Sequence, residues 1–194
     1  MKGGINLDPI ETAVQGVKNG ETRLFEVVIE NFQQKLFHYC YHMLGNTEEA
    51  EDAVQDSFIR AFEKIGSYKS SISFSAWLYK ITYNHCINIL RRKKLMRFLP
   101  FSEDTCIDST GIETGLEKSE LGVELISALS KITPVDKSIL ILRILEEKNF
   151  EEISKILDIK PATLRKKYER ARKKLKTILI SQKGGIVNEG FTIS

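Results

Sequence analysis

No two of the three cysteines, Cys40, Cys86 and Cys106, stand in a C-x-x-C pair, and three do not make an even framework. That excludes a disulfide-stapled scaffold and predicts reduced thiols in a cytoplasmic protein. The N-terminus lacks the charged-then-apolar order of a signal peptide, and no apolar run approaches the roughly 18–20 residues of a membrane span. A soluble chain without membrane insertion is expected. Glycine-rich phosphate loops are absent, as is any nucleophile with an adjacent base. No catalytic residue, cofactor or small-molecule substrate is therefore expected. Strand-like alternation is scarce, while helical period runs through nearly every segment.

Leu24, Val28, Phe32, Leu36, Tyr39 and Met43 recur every three or four residues and predict one long amphipathic helix. Gly45-Asn46 stops it, and Asn46 caps a second helix, with Glu49 in the capping-box position. That helix carries Ala50, Val54, Phe58 and Phe62 on one side and runs to about Ile65. After the polar loop 66–73, Ser73 caps a third helix from Phe74 to about Phe98. Residues 101–116 have the polar, acid-rich composition of a flexible linker. Thr133-Pro134-Val135-Asp136 opens a further helix carrying Val135, Ile139, Leu142 and Leu145. Asn149 with Glu152 opens the short helix "FEEISKIL", and a last helix runs from Pro161 to about Ile180. The expectation is an all-α chain of two small helical domains, 1–99 and 117–181, the second a helix-turn-helix. An acidic linker, 100–116, joins them and a disordered tail, 182–194, follows.

Charge is modest in total, at +3, but unevenly spread. Residues 165–176 hold eight Lys or Arg and one Glu, and 91–97 hold five bases in seven, whereas 46–64 hold six acids against two bases. In the last helix Leu164, Tyr168, Ala171, Leu175 and Ile178 form a core stripe, and positions 165–176 off it are nearly all cationic. A surface helix kept soluble by charge interleaves Glu with Lys for i,i+4 pairing. Here only Glu169 interrupts, so the pattern points to a recognition helix in the DNA major groove. Thr163, Arg165, Lys166 and Lys167 stand where base edges are met, and Arg170, Arg172, Lys173 and Lys174 where phosphates are.

On the third helix Trp77, Lys80, Asn84, Asn88 and Arg91 form one polar stripe headed by the only tryptophan. An indole, two amides and a basic cluster, Arg91 and Arg92 included, suit unpaired bases. Tyr68 and Lys69 in the preceding loop are candidates to line a pocket for an extruded base. The competing reading, Trp77 as a core anchor, stands equally on the pattern. Glu51, Asp52, Gln55 and Asp56 make an acidic ridge, either solvated or a dock for a basic protein surface. The i,i+4 pair His38 and His42 has zinc spacing but no third ligand nearby, and surface histidines without metal are expected.

"EEAEDAVQDSFIRAF", "FSAWLYKITYN…INILRRKK" and the C-terminal helix-turn-helix, in this order, resemble the extracytoplasmic-function group of the sigma-70 family of bacterial RNA polymerase sigma factors. The resemblance covers about 20–98, like region 2, and 117–180, like region 4. It implies a transcription initiation factor whose partners are core RNA polymerase, promoter DNA and an anti-sigma factor. By the same resemblance Asp52, Gln55, Asp56 and Phe58 contact the polymerase clamp. Trp77, Lys80, Asn84 and Asn88 read and melt the −10 element, and Thr163, Arg165, Lys166, Lys167 and Arg170 read the −35 element. Asn88 stands where the family commonly has Asp, Tyr83 where it has Arg, and Ala162 where it has Gly, so the resemblance carries the function but not the promoter sequence. The rival reading is a homodimeric helix-turn-helix repressor that acts without polymerase.

Overall fold

Asp8 and Pro9 open the first helix, with the Asp8 carboxylate accepting from the Ile10 amide at 3.0 Å. The computed structural model describes residues 8–96 and 120–188, so the predicted linker, Cys106 and the chain's last residues lie outside the described part. Helix α1 (Pro9–Lys18) is followed by α2 (Phe25–Leu44), α3 (Thr47–Lys64) and α4 (Phe74–Met96). The second half contributes α5 (Glu120–Ser130), α6 (Pro134–Ile144), α7 (Phe150–Leu157) and α8 (Pro161–Asn188). Apart from short 3-10 turns, helices are the only regular elements among the described residues.

The predicted punctuation is where the sequence puts it, with one exception. Gly45 ends α2 at φ 76°, a conformation that costs glycine nothing. Asn46 accepts from the Glu49 amide at 2.8 Å, Thr133 from the Asp136 amide at 3.3 Å, and Ser73 from the Ala76 amide at 3.3 Å. Asn149 and Glu152 make the full reciprocal box, at 2.9 and 3.0 Å. Glu49 does not complete its own box, because its carboxylate pairs with Lys93 of α4 instead.

Val28, Phe32, Leu36, Tyr39 and Met43 all face inward from α2, as their spacing predicts. The buried face of α3 is rotated from the expected one. Ala50, Ala53, Ser57, Phe58 and Ala61 are buried, while Phe62 lies outside at 40% exposure with its ring 5.2 Å from that of Phe25. Small residues let α3 approach α2 closely, which leaves no room for a second large ring. From α4, Phe74, Leu78, Tyr79 and Cys86 complete this core. Cys86 meets Cys40 there as a pair of buried thiols, Sγ to Sγ 3.8 Å.

The two halves pack on each other. Ile139, Ile141 and Leu142 of α6 and Ile153 and Ile156 of α7 join the same continuous core as α2 and α4. Burying each such aliphatic side chain contributes about 1.5–3 kcal/mol. Only one face of α6 looks apolar in the sequence, yet Lys137 and Ser138 are buried as well. Ser138 Oγ lies 2.7 Å from Tyr39 Oη, and Lys137 Nζ donates to the Met43 carbonyl at 3.0 Å. Leu145, expected inside, is 45% exposed just beyond the end of α6. Helix α8 continues to Asn188, through residues expected to form a disordered tail.

Burial pushes the Lys137 ammonium down to about 8. Because this lies below the ordinary value of 10.5, the unfolded chain binds more protons between pH 8 and 10.5, and stability rises with pH there. Burial lowers Lys148 in the same direction. Urea titrations are expected to give about 1 kcal/mol more stability at pH 8.5 than at pH 7. Lys137→Met should shrink that gain, and an undiminished gain would assign it to another group.

Candidate nucleic-acid and protein interfaces

Helices α7 and α8 form the predicted helix-turn-helix. Ile153, Ile156 and Leu157 anchor α7, and Asp158 ends it in the left-handed region at φ 55°. Leu164 and Ala171 of α8 are buried, with Tyr168, Leu175 and Ile178 half-buried along the same stripe. Thr163, Arg165, Lys166, Arg170, Arg172, Lys173 and Lys174 are exposed on the outer surface. Lys167 is half-buried, 3.6 Å from Asp136. Arg165 is steered by Glu151 at 3.7 Å and lies over the Phe150 ring at 5.7 Å, both within the helix-turn-helix.

On α4 the polar stripe is real. Asn84, Asn88, Arg91 and Arg92 are exposed. Trp77 is half-buried, tilted against Tyr68 at 5.5 Å and Phe74 at 5.4 Å, so it packs as an anchor while staying partly exposed. Lys80 is held by Asp158 at 2.6 Å, from the turn of the helix-turn-helix.

The expectation for Tyr68 requires correction. At 1% exposure it is a core residue. Its hydroxyl donates to Glu11 Oε1 at 2.6 Å and is 2.8 Å from the Ile72 carbonyl, while Lys18 Nζ donates to the Tyr68 carbonyl at 2.6 Å. Burial and the Glu11 carboxylate push its phenol well above the ordinary value. Glu11 also accepts from the Phe74 amide at 3.2 Å, so α1 clamps the loop to the start of α4. Neither Glu11 nor Lys18 was singled out from the sequence; the Asp-Pro-x-Glu helix start at 8–11 was the available signal. Lys69 remains exposed beside the clamp.

Glu51, Asp52, Gln55 and Asp56 are exposed on α3. Asp56 lies 3.3 Å from His85 of α4 and 3.8 Å from Arg60. Burial, with Arg60 adding to it, lowers the His85 imidazole, favouring its neutral form. Phe58 is a correction: at 8% exposure it packs edge-on against Phe25, 6.3 Å away, and is not a surface contact. Ile59 and Phe62, 49% and 40% exposed, stand in its place one and two turns beyond Gln55 and Asp56. An acidic ridge continued by exposed apolar side chains suits a protein partner better than solvent.

His42 Nδ1 lies 2.7 Å from the His38 carbonyl, and His38 Nε2 lies 2.9 Å from Gln34 Nε2. Among the described residues, no group of three or more His, Cys, Asp or Glu side chains is placed to hold a metal ion. No helix among them is long and apolar enough to cross a membrane.

Two clusters of DNA-suited residues on separate helical units, one of them a helix-turn-helix, define a multi-contact DNA-binding protein. Residues 28–95 match the family model for sigma-70 region 2, and residues 122–175 match that for sigma-70 region 4. The chain is 30% identical over 177 residues to the ECF RNA polymerase sigma factor SigW of Bacillus subtilis, covering 86% of this chain and 95% of that one. It is 27% identical to the ECF RNA polymerase sigma factor SigE of Mycolicibacterium smegmatis, over 89% of this chain and 68% of the relative. The fold is shared with CnrH, solved in complex with the cytosolic domain of CnrY, at a TM-score of 0.68 and 18% identity over 90% of this chain and 99% of that one. It is shared equally with the sigma factor RpoE of Bartonella quintana, solved with the anti-sigma factor NepR, at 0.67 and 22% over 80% and 96%. The chain belongs to the extracytoplasmic-function group of the sigma-70 family. The homodimeric-repressor alternative finds no support in these relationships.

Proposed function

We propose that this chain binds core RNA polymerase through α3, directs it to promoters by reading −35 and −10 elements, and helps open the DNA. The observation that carries the proposal is the presence of three separate surfaces on one chain. They are the acidic and apolar ridge of α3, the indole-and-amide stripe of α4, and the cationic outer face of α8. Glu51, Asp52, Gln55 and Asp56, with Ile59 and Phe62 added, form the polymerase dock. Lys69, Trp77, Lys80, Asn84, Asn88, Arg91 and Arg92 meet the −10 region, and Thr163, Arg165, Lys166, Lys167, Arg170, Arg172 and Lys173 meet the −35 region. Polymerization chemistry stays with the polymerase, so the chain is an addressing subunit and not an enzyme, acting in the cytoplasm beside the chromosome. An anti-sigma factor is its expected inhibitor, since a fold neighbour is held by one.

Run-off transcription from fragmented genomic DNA tests the proposal. Core polymerase with the chain is expected to start at discrete sites sharing two spaced elements, and starts no different from those of core polymerase alone would refute it. Arg165→Ala should weaken discrimination at one −35 base pair by about 1–3 kcal/mol if Arg165 reads a base edge. A uniform loss across all sequences would make it a phosphate contact instead.

A further inference from the structure

Two polar rungs join the helix read as the polymerase dock to the helix read as the −10 contact. Near the start of α3, the Glu49 carboxylate pairs with Lys93 Nζ of α4. Two turns further along α3, Asp56 Oδ2 lies 3.3 Å from Nε2 of the buried His85. The two α3 positions are about 11 Å of helix apart and the two α4 positions about 12 Å, at 1.5 Å per residue. The rungs therefore cross at matching heights, with α3 and α4 antiparallel. Between them α3 buries Ala50 and Ala53, and α4 buries Cys86. The exposed Asn88, Arg91 and Arg92 lie in the stretch of α4 that the rungs bracket, and Asn84 directly precedes it.

The Glu49–Lys93 rung forms in preference to a local contact. Glu49 stands at the third position of α3, where a carboxylate can return to the Asn46 amide as Glu152 does to that of Asn149. It reaches across to α4 instead. Lys93 for its part is half-buried, while Arg91, Arg92 and Lys94 are exposed. The pair sets the Lys93 ammonium beside the N-terminal end of α3. A cation is disfavoured there by the helix dipole, and the Glu49 carboxylate offsets that. Without Glu49, the end of α4 is pushed away from α3 rather than merely released.

Resting on the reading of α4 as the −10 contact, we propose that Glu49 is a positioning residue for that contact. Through Lys93 it holds the basic end of α4 at the distance from α3 at which Asn88, Arg91 and Arg92 meet DNA on a polymerase docked to α3. His85 does the same at the other rung, through Asp56. Lys93 is then a brace and not a phosphate contact, unlike the exposed bases on either side of it. Burial favours the neutral imidazole of His85, so the charged rung is Glu49–Lys93, and the test is placed there.

The test uses the holoenzyme, formed from core polymerase and the full chain, on a promoter fragment recovered by the run-off mapping. Glu49→Gln, Lys93→Met and the double variant are each expected to lower the open-complex fraction about three- to fivefold, the range for a half-exposed ion pair. The double variant should lose no more than either single one, because the same interaction is removed in all three. Affinity for core polymerase should stay within about twofold of wild type, and Lys93→Arg should keep most of the open complex. The salt dependence of promoter binding should keep its wild-type slope in Lys93→Met, whereas Arg91→Ala or Arg92→Ala should shallow it by about one. Losses that add in the double variant, or a shallower slope for Lys93→Met, overturn the brace. So does a Glu49→Gln chain that opens DNA normally, or one whose loss is matched by lost polymerase affinity. If Asn88→Ala, Arg91→Ala and Arg92→Ala also leave the open complex unchanged, the reading of α4 itself falls. If they lower it while Glu49→Gln does not, only the brace does.

Discussion

Trp77→Ala is expected to cut open-complex formation about 5- to 150-fold while leaving closed-complex binding nearly intact. The range follows from base–aromatic stacking, worth about 1–3 kcal/mol per base. Stacking becomes available only when a base has left the duplex, so the loss belongs to the melted state alone. The structure adds a complication that the experiment must separate. Trp77 also packs on Tyr68 and Phe74, so truncation weakens the junction between the 66–73 loop and α4. Trp77→Phe keeps an aromatic face and most of that packing, and should retain most of the activity. Permanganate footprinting of unpaired thymines reads the open complex directly, and filter binding at low temperature reads the closed one. Equal losses in both assays for Trp77→Ala would remove the melting role.

Reversing the charge of the α3 ridge should have the largest effect of all. Asp52→Lys/Asp56→Lys replaces two acids with two bases in a surface proposed to meet a basic partner. Like-charge juxtaposition across an interface costs several kcal/mol, so affinity for core polymerase should fall about 10²- to 10⁴-fold. Asp56 has a second role through His85, 3.3 Å away on α4. Asp52, exposed on the same ridge, should carry the cleaner effect as a single substitution. Fluorescence anisotropy of labelled chain against core polymerase measures both. An affinity within a few fold of wild type would move the dock elsewhere, with the exposed Ile59 and Phe62 the next surface to change.

Much of this architecture is legible in the residues because local physics decides it. The 3.6-residue stripes of α2 and α8 survive, except that Leu24 falls in the 3-10 turn before α2, since each helix has one apolar side and one core to cover. The caps at Asn46, Thr133 and Asn149 are legible for the same reason, being satisfied within four residues. What was not legible depends on partners distant in sequence. Phe62 and Phe58 are chemically alike, and only the close approach of α3 to α2 decides that Phe58 goes in and Phe62 stays out. Tyr68 reads as a loop aromatic until Glu11, 57 residues earlier, is seen to bind its hydroxyl. Lys137 and Ser138 look like the wet side of α6, because a polar residue buried against Met43 and Tyr39 has the same letter as an exposed one. A linker's composition likewise says that two halves are tethered and nothing of whether they dock. The candidate site residues of α3, α4 and α8 are legible mainly from charge and type, and most lie at the surface, whereas Tyr68 of the loop and Phe58 of α3 go into the core.

Size-exclusion chromatography of the purified chain, alone and mixed with bacterial core RNA polymerase, tests the central claim most directly. The account predicts a monomer alone and one chain co-eluting with each polymerase, with co-elution lost in Asp52→Lys/Asp56→Lys. A chain that elutes as a stable homodimer and ignores the polymerase would contradict it.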